Sequence, residues 1–397
     1  MDDATKQGFG SDSHSPFFTE EHEMLRDQLR RFVEEEIKPF GDAWEKQGFV
    51  PRDVLRRMGA LGFFGIRYPE AYGGSDMDTL GSVVFAEELG RSTFSGVAIT
   101  ALVHTDMASV HVFNAGSEAQ KSRWMRKIVS GEAICAVAVT EPDAGSDVKG
   151  IRTTARRTSD GYVLNGAKMF ITNGVHADLY CVAAKTGPID GGSKAVTMFL
   201  IEKGTPGFRV GRALDKHGWR SSDTAELSYT DVRVPVENLI GDENSGFAQI
   251  AAAFVSERVG LAAQAYASGQ RCLDLAVAWC RDRETFGRPL ISRQSVQNTL
   301  SDIARRIDVA RVYTRNVVER QLAGEVNLIA EVCFAKNTAV EAGEHAANAA
   351  VQLFGGMGYM AESEIERQYR DMRIIGIGGG TTEILTALAA KLLGYQS

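Results

Sequence analysis

Glu257 and Arg258 are two charged residues inside a segment made almost wholly of small and apolar residues, GFAQIAAAFVSERVGLAAQAYASG. At helical spacing both fall at the edge of one apolar stripe, which consists of Phe247, Ile250, Phe254 and Leu261. A buried carboxylate must find a partner, take up a proton or do chemistry, because an isolated buried ion is costly. Adjacent helical residues do not face each other, so Arg258 is not an automatic partner. Glu257 is therefore either part of a buried pair satisfied by other side chains or a proton-transfer group.

Composition narrows the class of protein. The chain has 397 residues, 51 acidic and 44 basic, for a net charge of −7, without blocks of like charge. This balance argues against nucleic acid or an anionic membrane as the main partner. No stretch approaches the ~20 apolar residues that span a bilayer, which predicts a protein outside the membrane. Residues 1–16 are polar and lack the features of a secretion signal, and we interpret them as a flexible tail.

Cysteine and histidine usage gives no sign of a metal site. The five cysteines are scattered without a CxxC spacing, so neither a disulfide framework nor a zinc site is predicted. The histidines lack metal-ligand spacing, and we predict no metal. A reduced, cytoplasmic setting fits this pattern best.

The hydrophobic period divides the chain into three parts. Residues 19–131 carry apolar residues every three or four positions, which predicts helices. Beyond residue 133 the period becomes two, and Asp160-Gly161 between alternating segments predicts a β-hairpin. After residue 244 the helical period returns in longer runs, which we place at 246–283, 293–322, 328–354 and after Thr381. Gly324 and Gly355 stand where C-cap glycines would end two of these helices.

We therefore predict an α+β fold: an N-terminal α-helical domain (17–132), a middle antiparallel β-domain (133–244) and a C-terminal four-helix-bundle-like domain (245–397). The cleft between the helical body and the β-domain is the natural position for a site.

Two motifs stand far apart in the chain. AVTEPDAGSDVKG, residues 138–150, begins like a strand and ends in a loop with free backbone amides. QLFGGMGYMAESEIERQYRD, residues 352–371, combines a helix end, a glycine turn and charges at helical spacing. Together with KMFITNG (168–174) and RETFGRPL (283–290), they resemble the signatures of the acyl-CoA dehydrogenase family, in the right order over nearly the whole chain. The resemblance implies that family's fold and FAD as cofactor.

The resemblance also assigns site residues. Phe170 packs against the flavin ring where many relatives carry Trp, while Arg283, Phe286 and Gln294 resemble residues that reach the FAD of a neighbouring subunit. The other residues that it assigns to the cofactor are Val137, Val139, Thr140, Gly145, Ser146, Thr172, Gln352, Gly355, Gly356, Thr381 and Glu383. The residues that it assigns to the substrate are Ser146, Phe254, Arg258, Gly379 and Gly380. For Arg258 a purely structural role remains an alternative.

GIGGGTTE, residues 376–383, is the segment where the family divides. It is not a dinucleotide fingerprint, because its third glycine is misplaced and no βαβ unit surrounds it. Most relatives resemble Tyr-Glu-Gly-Thr here, with that Glu as base, whereas this chain has Gly at 378, 379 and 380. A subgroup resembling isovaleryl-CoA and long-chain acyl-CoA dehydrogenases supplies its Glu, followed by Arg, from the helix that opens the C-terminal domain. Glu257-Arg258 occupies that position, which favours Glu257 as the catalytic base.

The implied reaction is α,β-dehydrogenation of an acyl-CoA thioester to the trans-2-enoyl-CoA. Glu257 would remove the α-proton and hydride would pass from Cβ to flavin N5. The resemblance implies an electron-transfer flavoprotein as acceptor and a homotetramer, a dimer of dimers. The small residues at 378–379 and in VAITALVHT (97–105) permit medium, long or branched acyl groups. An acyl-CoA oxidase, or a flavin-binding member without dehydrogenase activity, is the alternative function.

Overall fold

The computed structural model describes residues 16–395. Residues 1–15, which make up nearly all of the predicted flexible tail, lie outside this range. The chain forms an N-terminal helical part, a β-sheet part and a C-terminal helical part, and so confirms the predicted fold class.

The N-terminal part is entirely helical among its regular elements. Two of its helices continue without a break into π-helical turns, at Val33–Ile37 and Val103–Ala108. Its helices are α1 (Glu20–Phe32), α2 (Gly41–Gln47), α3 (Arg52–Ala60), α4 (Thr79–Gly90), α5 (Ser95–Leu102), α6 (Ser109–Ala115) and α7 (Glu118–Val129).

One helical run in this part departs from the sequence expectation. Ser95–Ala115 is long and apolar enough to cross a membrane by length and composition, with a mean hydropathy of 1.3 over its most apolar window. The expectation that no segment reaches these limits was therefore wrong. Of that window, 94 % is buried inside the protein, which is the situation of a core helix.

The middle part is one eight-stranded sheet with the strand order β6-β7-β3-β2-β4-β5-β8, and β1 pairs with β4. Its strands are β1 (Cys135–Ala138), β2 (Thr154–Arg157), β3 (Gly161–Thr172), β4 (Leu179–Lys185), β5 (Val196–Glu202), β6 (Phe208–Ala213), β7 (Thr224–Pro235) and β8 (Leu239–Ile240). The β2–β3 pair is the predicted hairpin. Most pairs are antiparallel as expected, but β4 runs parallel to both β1 and β2. Turn signals in sequence report only the antiparallel neighbours, because parallel strands need long connections.

The C-terminal part contains three long helices, which begin and end within one residue of their predicted positions. They are α8 (Gly246–Asp282), α9 (Gln294–Leu322) and α10 (Ile329–Phe354), followed by α11 (Glu364–Met372) and α12 (Thr382–Leu392). Between α8 and α9 lies a small hairpin of β9 (Glu284–Thr285) and β10 (Arg288–Pro289). Gly324 and Gly355 follow their helices with φ of +85° and +62°, as predicted for C-terminal glycines.

A buried ion cluster joins the two helical parts. Both Arg26 on α1 and Arg315 on α9 approach the Glu87 carboxylate on α4 to 2.7 Å, and the Tyr266 hydroxyl of α8 donates to it at 2.5 Å. Burial alone would raise the pKa of Glu87, but Arg315 and Arg26 lower it to about 2. Breaking such a pair on one side leaves an uncompensated buried charge. This cluster fixes α8, and with it Glu257, against the N-terminal helices.

Candidate active site

Glu257 lies on α8 and has no hydrogen-bond or ion-pair partner among residues 16–395. Its side chain is partly buried and keeps some access to solvent. Burial raises the pKa of the carboxyl to about 7, while the charges of Lys336 and Arg258 oppose that rise. If Glu257 belonged to a structural buried pair, other side chains would hydrogen-bond to its carboxylate. The absence of such partners in the described part of the chain favours a chemical role.

The glycine turn after α11 lies directly against this carboxylate. Gly379 and Gly380 have φ of +66° and +94°, a region that side chains rarely adopt. A Cβ atom added at Gly379 would lie 3.0 Å from Oε1 of Glu257 and 2.6 Å from Cδ1 of Leu261. Position 379, to which the family resemblance assigns the base of most relatives, and Glu257 therefore adjoin the same space.

Two buried cations hold the three carbonyls of this turn. Arg258 Nε donates to the carbonyl of Gly379 at 3.3 Å. Lys336 Nζ, on α10, donates to Gly378 at 2.5 Å and to Gly380 at 2.7 Å. The Arg258 guanidinium also lies 5.1 Å from the centre of the Phe254 ring. These contacts favour a structural role for Arg258, in holding the glycine turn, over a role in substrate binding.

Sequence reasoning missed Lys336. The sequence feature that identified Glu257 also marks Lys336. The segment VCFAKNTAV places a charged residue in an otherwise apolar helical segment. Lys336 is only 1 % exposed. Burial lowers the pKa of its ammonium to about 8, although the nearby Glu257 raises it.

A second buried pair fixes the loop of the first motif. Lys168 Nζ on β3 contacts Glu141 Oε1 at 2.8 Å and the Val139 carbonyl at 2.9 Å. The same carboxylate accepts the backbone amides of Arg152, at 2.5 Å, and of Thr153, at 3.0 Å. Both charged residues lie in the sequence motifs, but the sequence did not predict their contact, because 27 positions separate them in the chain.

The end of β3 presents Phe170 outward. The register with β7 shifts between Lys168 and Ile171, which marks a β-bulge. Phe170 in this bulge has φ +61° and is 61 % exposed. An exposed aromatic residue in a left-handed conformation is strained, and such strain concentrates at functional positions.

The predicted flavin loop lies next to this bulge. The amide of Met169 donates to the carbonyl of Thr140 at 2.9 Å, so Thr140 and Phe170 are neighbours. Thr172 is partly exposed, Ser146 is exposed, and a Cβ atom added at Gly145 would touch nothing within 4 Å. Open backbone of this kind can approach a ligand closely.

Phe254 on α8 connects Glu257 to this region. It packs, partly buried, against the same apolar cluster as Val137 and Val139. One turn of α8 separates Phe254 from Glu257. The structure thus brings the glycine turn against the proposed base, and Phe254 links the same part of α8 to the beginning of the flavin loop.

Another group of predicted cofactor residues lies elsewhere. The Trp279 and Phe354 rings stack at 4.7 Å, so the C-terminal ends of α8 and α10 meet. Near this end lie six predicted residues, all exposed: Arg283, Phe286, Gln294, Gln352, Gly355 and Gly356. Phe286 is 98 % exposed, with φ +52°. From Glu257 to the end of α8 is about 38 Å at 1.5 Å per residue. Within one chain these residues are not brought to Glu257.

The remaining predicted cofactor residues, Thr381 and Glu383, open α12 immediately after the glycine turn. The Thr381 hydroxyl caps the helix by accepting the amide of Ile384 at 3.2 Å. The Glu383 backbone amide, with the Thr381 hydroxyl, holds the pKa of the Glu383 carboxyl below its usual value.

Between residues 16 and 395, no cluster of three or more His, Cys, Asp or Glu side chains is arranged to hold a metal ion.

Family models match the chain in three consecutive segments. They describe the N-terminal domain (residues 19–132), the middle domain (136–232) and the C-terminal domain (244–394) of acyl-CoA dehydrogenases. The chain belongs to the acyl-CoA dehydrogenase family. This confirms the resemblance inferred from the motifs, and the protein is a flavin-dependent oxidoreductase of that family.

Individual members of the acyl-CoA dehydrogenase family are similar over almost their full length. An acyl-CoA dehydrogenase of Bacillus subtilis is 37 % identical over 94 % of this chain and 98 % of its own. The rat mitochondrial long-chain specific acyl-CoA dehydrogenase is 35 % identical over 94 % of this chain and 86 % of its own. The mitochondrial isovaleryl-CoA dehydrogenase of rice is 36 % identical over 96 % and 93 %.

Solved structures share the fold. A putative acyl-CoA dehydrogenase from Mycobacterium smegmatis is 61 % identical, with a TM-score of 0.94, over 96 % of this chain and 100 % of that chain. PigA, solved with FAD and proline, is 27 % identical with a TM-score of 0.93, over 97 % and 100 %.

Proposed function

We propose that Glu257 is the base that removes the α-proton of an acyl-CoA thioester in an FAD-dependent α,β-dehydrogenation to the trans-2-enoyl-CoA. The observation that carries this proposal is the position of the Glu257 carboxylate. It is unpartnered among the described residues and lies next to Gly379, where most relatives of this family carry their base.

The environment of Glu257 suits proton abstraction from a weakly acidic carbon. A pKa of about 7 makes the carboxylate a stronger base than an ordinary glutamate, yet leaves much of it ionised at neutral pH. The apolar residues around α8 limit access of water to the developing enolate. The family resemblance implies that a backbone amide near the base donates to the thioester oxygen, where charge develops.

The residues near the β3 bulge fit a flavin. Phe170 offers an exposed aromatic face, Thr140 and Thr172 offer hydroxyl groups beside it, and the loop at Gly145 and Ser146 leaves backbone open. Thr381 and Glu383 directly follow the glycine turn at the start of α12. FAD, when bound, supplies the hydride acceptor of the reaction.

The residues at the far end of α8 support assembly as a homotetramer built as a dimer of dimers. Arg283, Phe286 and Gln294 follow the C-terminal end of α8, which lies about 38 Å along that helix from Glu257, so we assign them to the FAD of a second copy. Gln352, Gly355 and Gly356 accompany them at the same end. Phe286 is 98 % exposed, so its ring is open to contact with a second copy.

The family resemblance supports an electron-transfer flavoprotein as electron acceptor, with reoxidation in the cytoplasm. All five cysteines are buried and free, which fits a reducing compartment. For the substrate we keep a medium, long or branched acyl-CoA, because the glycines at 378 and 379 leave room beside the thioester.

The test is Glu257→Gln, which preserves shape and removes the base. The variant should fold and retain FAD, but its flavin should not bleach when acyl-CoA is added anaerobically. Glu341→Gln, at an exposed position on α10, is the matched control and should bleach like the wild type. Normal bleaching in E257Q would refute the assignment. Peroxide formation without an added acceptor would instead identify the oxidase alternative.

A further inference from the structure

Lys336 lies at the glycine turn beside Glu257 and has no role in the reaction as proposed. Its ammonium is buried between α10 and the glycine turn, and it donates to the carbonyls on both sides of Gly379. Arg258 takes the carbonyl between them. Each of three successive carbonyls thus accepts from a buried cation, and neither cation forms an ion pair with Glu257 among the described residues.

We propose that Lys336 is a positioning residue for the dehydrogenation: it fixes the glycine turn beside Glu257 and presents its charge to the Glu257 carboxylate without bonding to it. A direct ion pair would occupy the oxygens that must accept the proton. Lys336 is instead retained by backbone carbonyls, which leaves these oxygens free while its field favours their ionised form.

The surroundings of Glu257 make Lys336 the main source of this field. Arg258 follows Glu257 on α8 itself, and α10 contributes Lys336 and Cys333. The glycine turn contributes no titratable side chain. In the π-helical turn at 103–108, the backbone carbonyl of Asp106, and not its carboxylate, accepts a hydrogen bond from the Ser256 hydroxyl at 3.1 Å. Lys336 is the largest influence that opposes the effect of burial on the pKa of Glu257.

This inference rests on the proposed role of Glu257, so its test needs a measurement that does not depend on catalysis. The side chain of Glu257→Gln cannot ionise. We measure the Tm of this variant and of its parent from pH 4 to 10. The Tm difference between them reports the ionisation of Glu257 in the folded protein. The same comparison is made between K336M and K336M/E257Q. The FAD-loaded protein is used throughout.

In the wild type we expect the Tm advantage of E257Q to grow above the ordinary glutamate pKa and to level off near pH 7. In the K336M background it should level off about one pH unit higher, because the carboxylate has lost the largest influence that opposes the effect of burial. Anaerobic bleaching should shift in parallel, with about tenfold slower bleaching at pH 6. Hydrogen exchange in the peptide 374–385 should accelerate in K336M, since its turn carbonyls have lost their donor.

Lys216→Met is the matched control. Lys216 is also a lysine with a pKa lowered to about 8 by burial, and it donates to Ser222 and Thr224, in the β-sheet part. K216M should lower stability but leave the level-off pH and the exchange of 374–385 unchanged. K336R, which keeps the charge, should level off near the wild-type pH.

The outcomes separate the two proposals. An unchanged level-off pH in K336M would overturn the role of Lys336. A shifted Tm profile without any shift of the bleaching profile would instead overturn Glu257 as the base. If K336M does not fold, Lys336→Gln removes the charge while keeping a donor and is compared in the same way.

Discussion

Glu257 and Gly379 are 122 positions apart in the chain, yet a Cβ atom on Gly379 would lie 3.0 Å from the Glu257 carboxylate. The two positions to which the family resemblance assigns a base therefore adjoin one space. The turn at Gly379 provides that space because it has no side chain, and its left-handed conformation favours glycine.

Moving the base tests this relationship. Glu257→Gly should reduce the rate of flavin bleaching by about 10²- to 10⁴-fold, the usual contribution of a general base. Adding Gly379→Glu should recover about tenfold of that loss if the two carboxylates reach the same α-proton. Recovery will be incomplete, because a side chain at φ +66° is strained by about 1–2 kcal/mol and its Cβ meets Leu261 at 2.6 Å.

Leu261→Val removes the atom that the new Cβ would meet, and it should raise the activity of E257G/G379E further. The same substitution in an otherwise wild-type chain is its control. If neither the double nor the triple variant exceeds E257G alone, the two positions do not share a site.

The role proposed for Glu257 predicts that its pKa sets the pH dependence of the reaction. Because burial raises this pKa to about 7, the ionised base should increase about tenfold per pH unit below 7 and become nearly constant above pH 8. We expect kcat/KM for anaerobic bleaching to follow that curve. A midpoint near 4.5, as for an exposed glutamate, would contradict a buried base.

The same pKa has the opposite effect on stability. A carboxyl with a raised folded pKa stabilises the protein below its unfolded pKa of about 4.5, and this contribution is lost as the pH rises through about 7. E257Q should therefore be more stable than the wild type at pH 8, by on the order of 2–3 kcal/mol, but similar to it at pH 4. Urea denaturation at both pH values measures this difference.

The Lys168–Glu141 pair should control the flavin loop. Lys168→Met leaves a buried carboxylate without its cation, which we expect to destabilise the protein by about 3–5 kcal/mol and to weaken FAD retention on gel filtration. The double variant E141Q/K168M should lose less than K168M, because no charge remains unpaired. Lys194→Met, an exposed lysine in the same part of the chain, serves as control. Equal losses in the single and double variants would show that the pair does not act as a unit.

The substrate range is tested with a panel of straight and branched acyl-CoA thioesters, scored by kcat/KM. Under the proposed function Gly378 and Gly379 leave space beside the thioester, so a branched or long acyl-CoA should exceed butyryl-CoA by at least about tenfold. Gly379→Ala places a methyl group against Glu257 and Leu261 and should reduce the branched substrates most. A preference for the shortest straight chain would contradict this reading of the turn.

The sequence alone determined the order of helical and β parts, the limits of the long helices and the family. These features are local: a change of hydrophobic period, a C-terminal glycine or a contiguous motif is readable wherever it stands. It also singled out Glu257, since a charged pair in an otherwise apolar helix is visible without a structure. The sequence did not show whether the Glu257 carboxylate has a hydrogen-bond or ion-pair partner, because such partners come from segments distant in the chain.

Only the tertiary structure decided that question. It brought the turn at 378–380, Lys336 and Glu257 together from three separate segments, and it showed that both neighbouring cations bond to carbonyls rather than to the carboxylate. Likewise the Glu141–Lys168 pair and the parallel pairing of β4 depend on long-range packing, which leaves no periodic trace in sequence. Each is a contact between distant segments, and its energy depends on burial that only the folded chain defines.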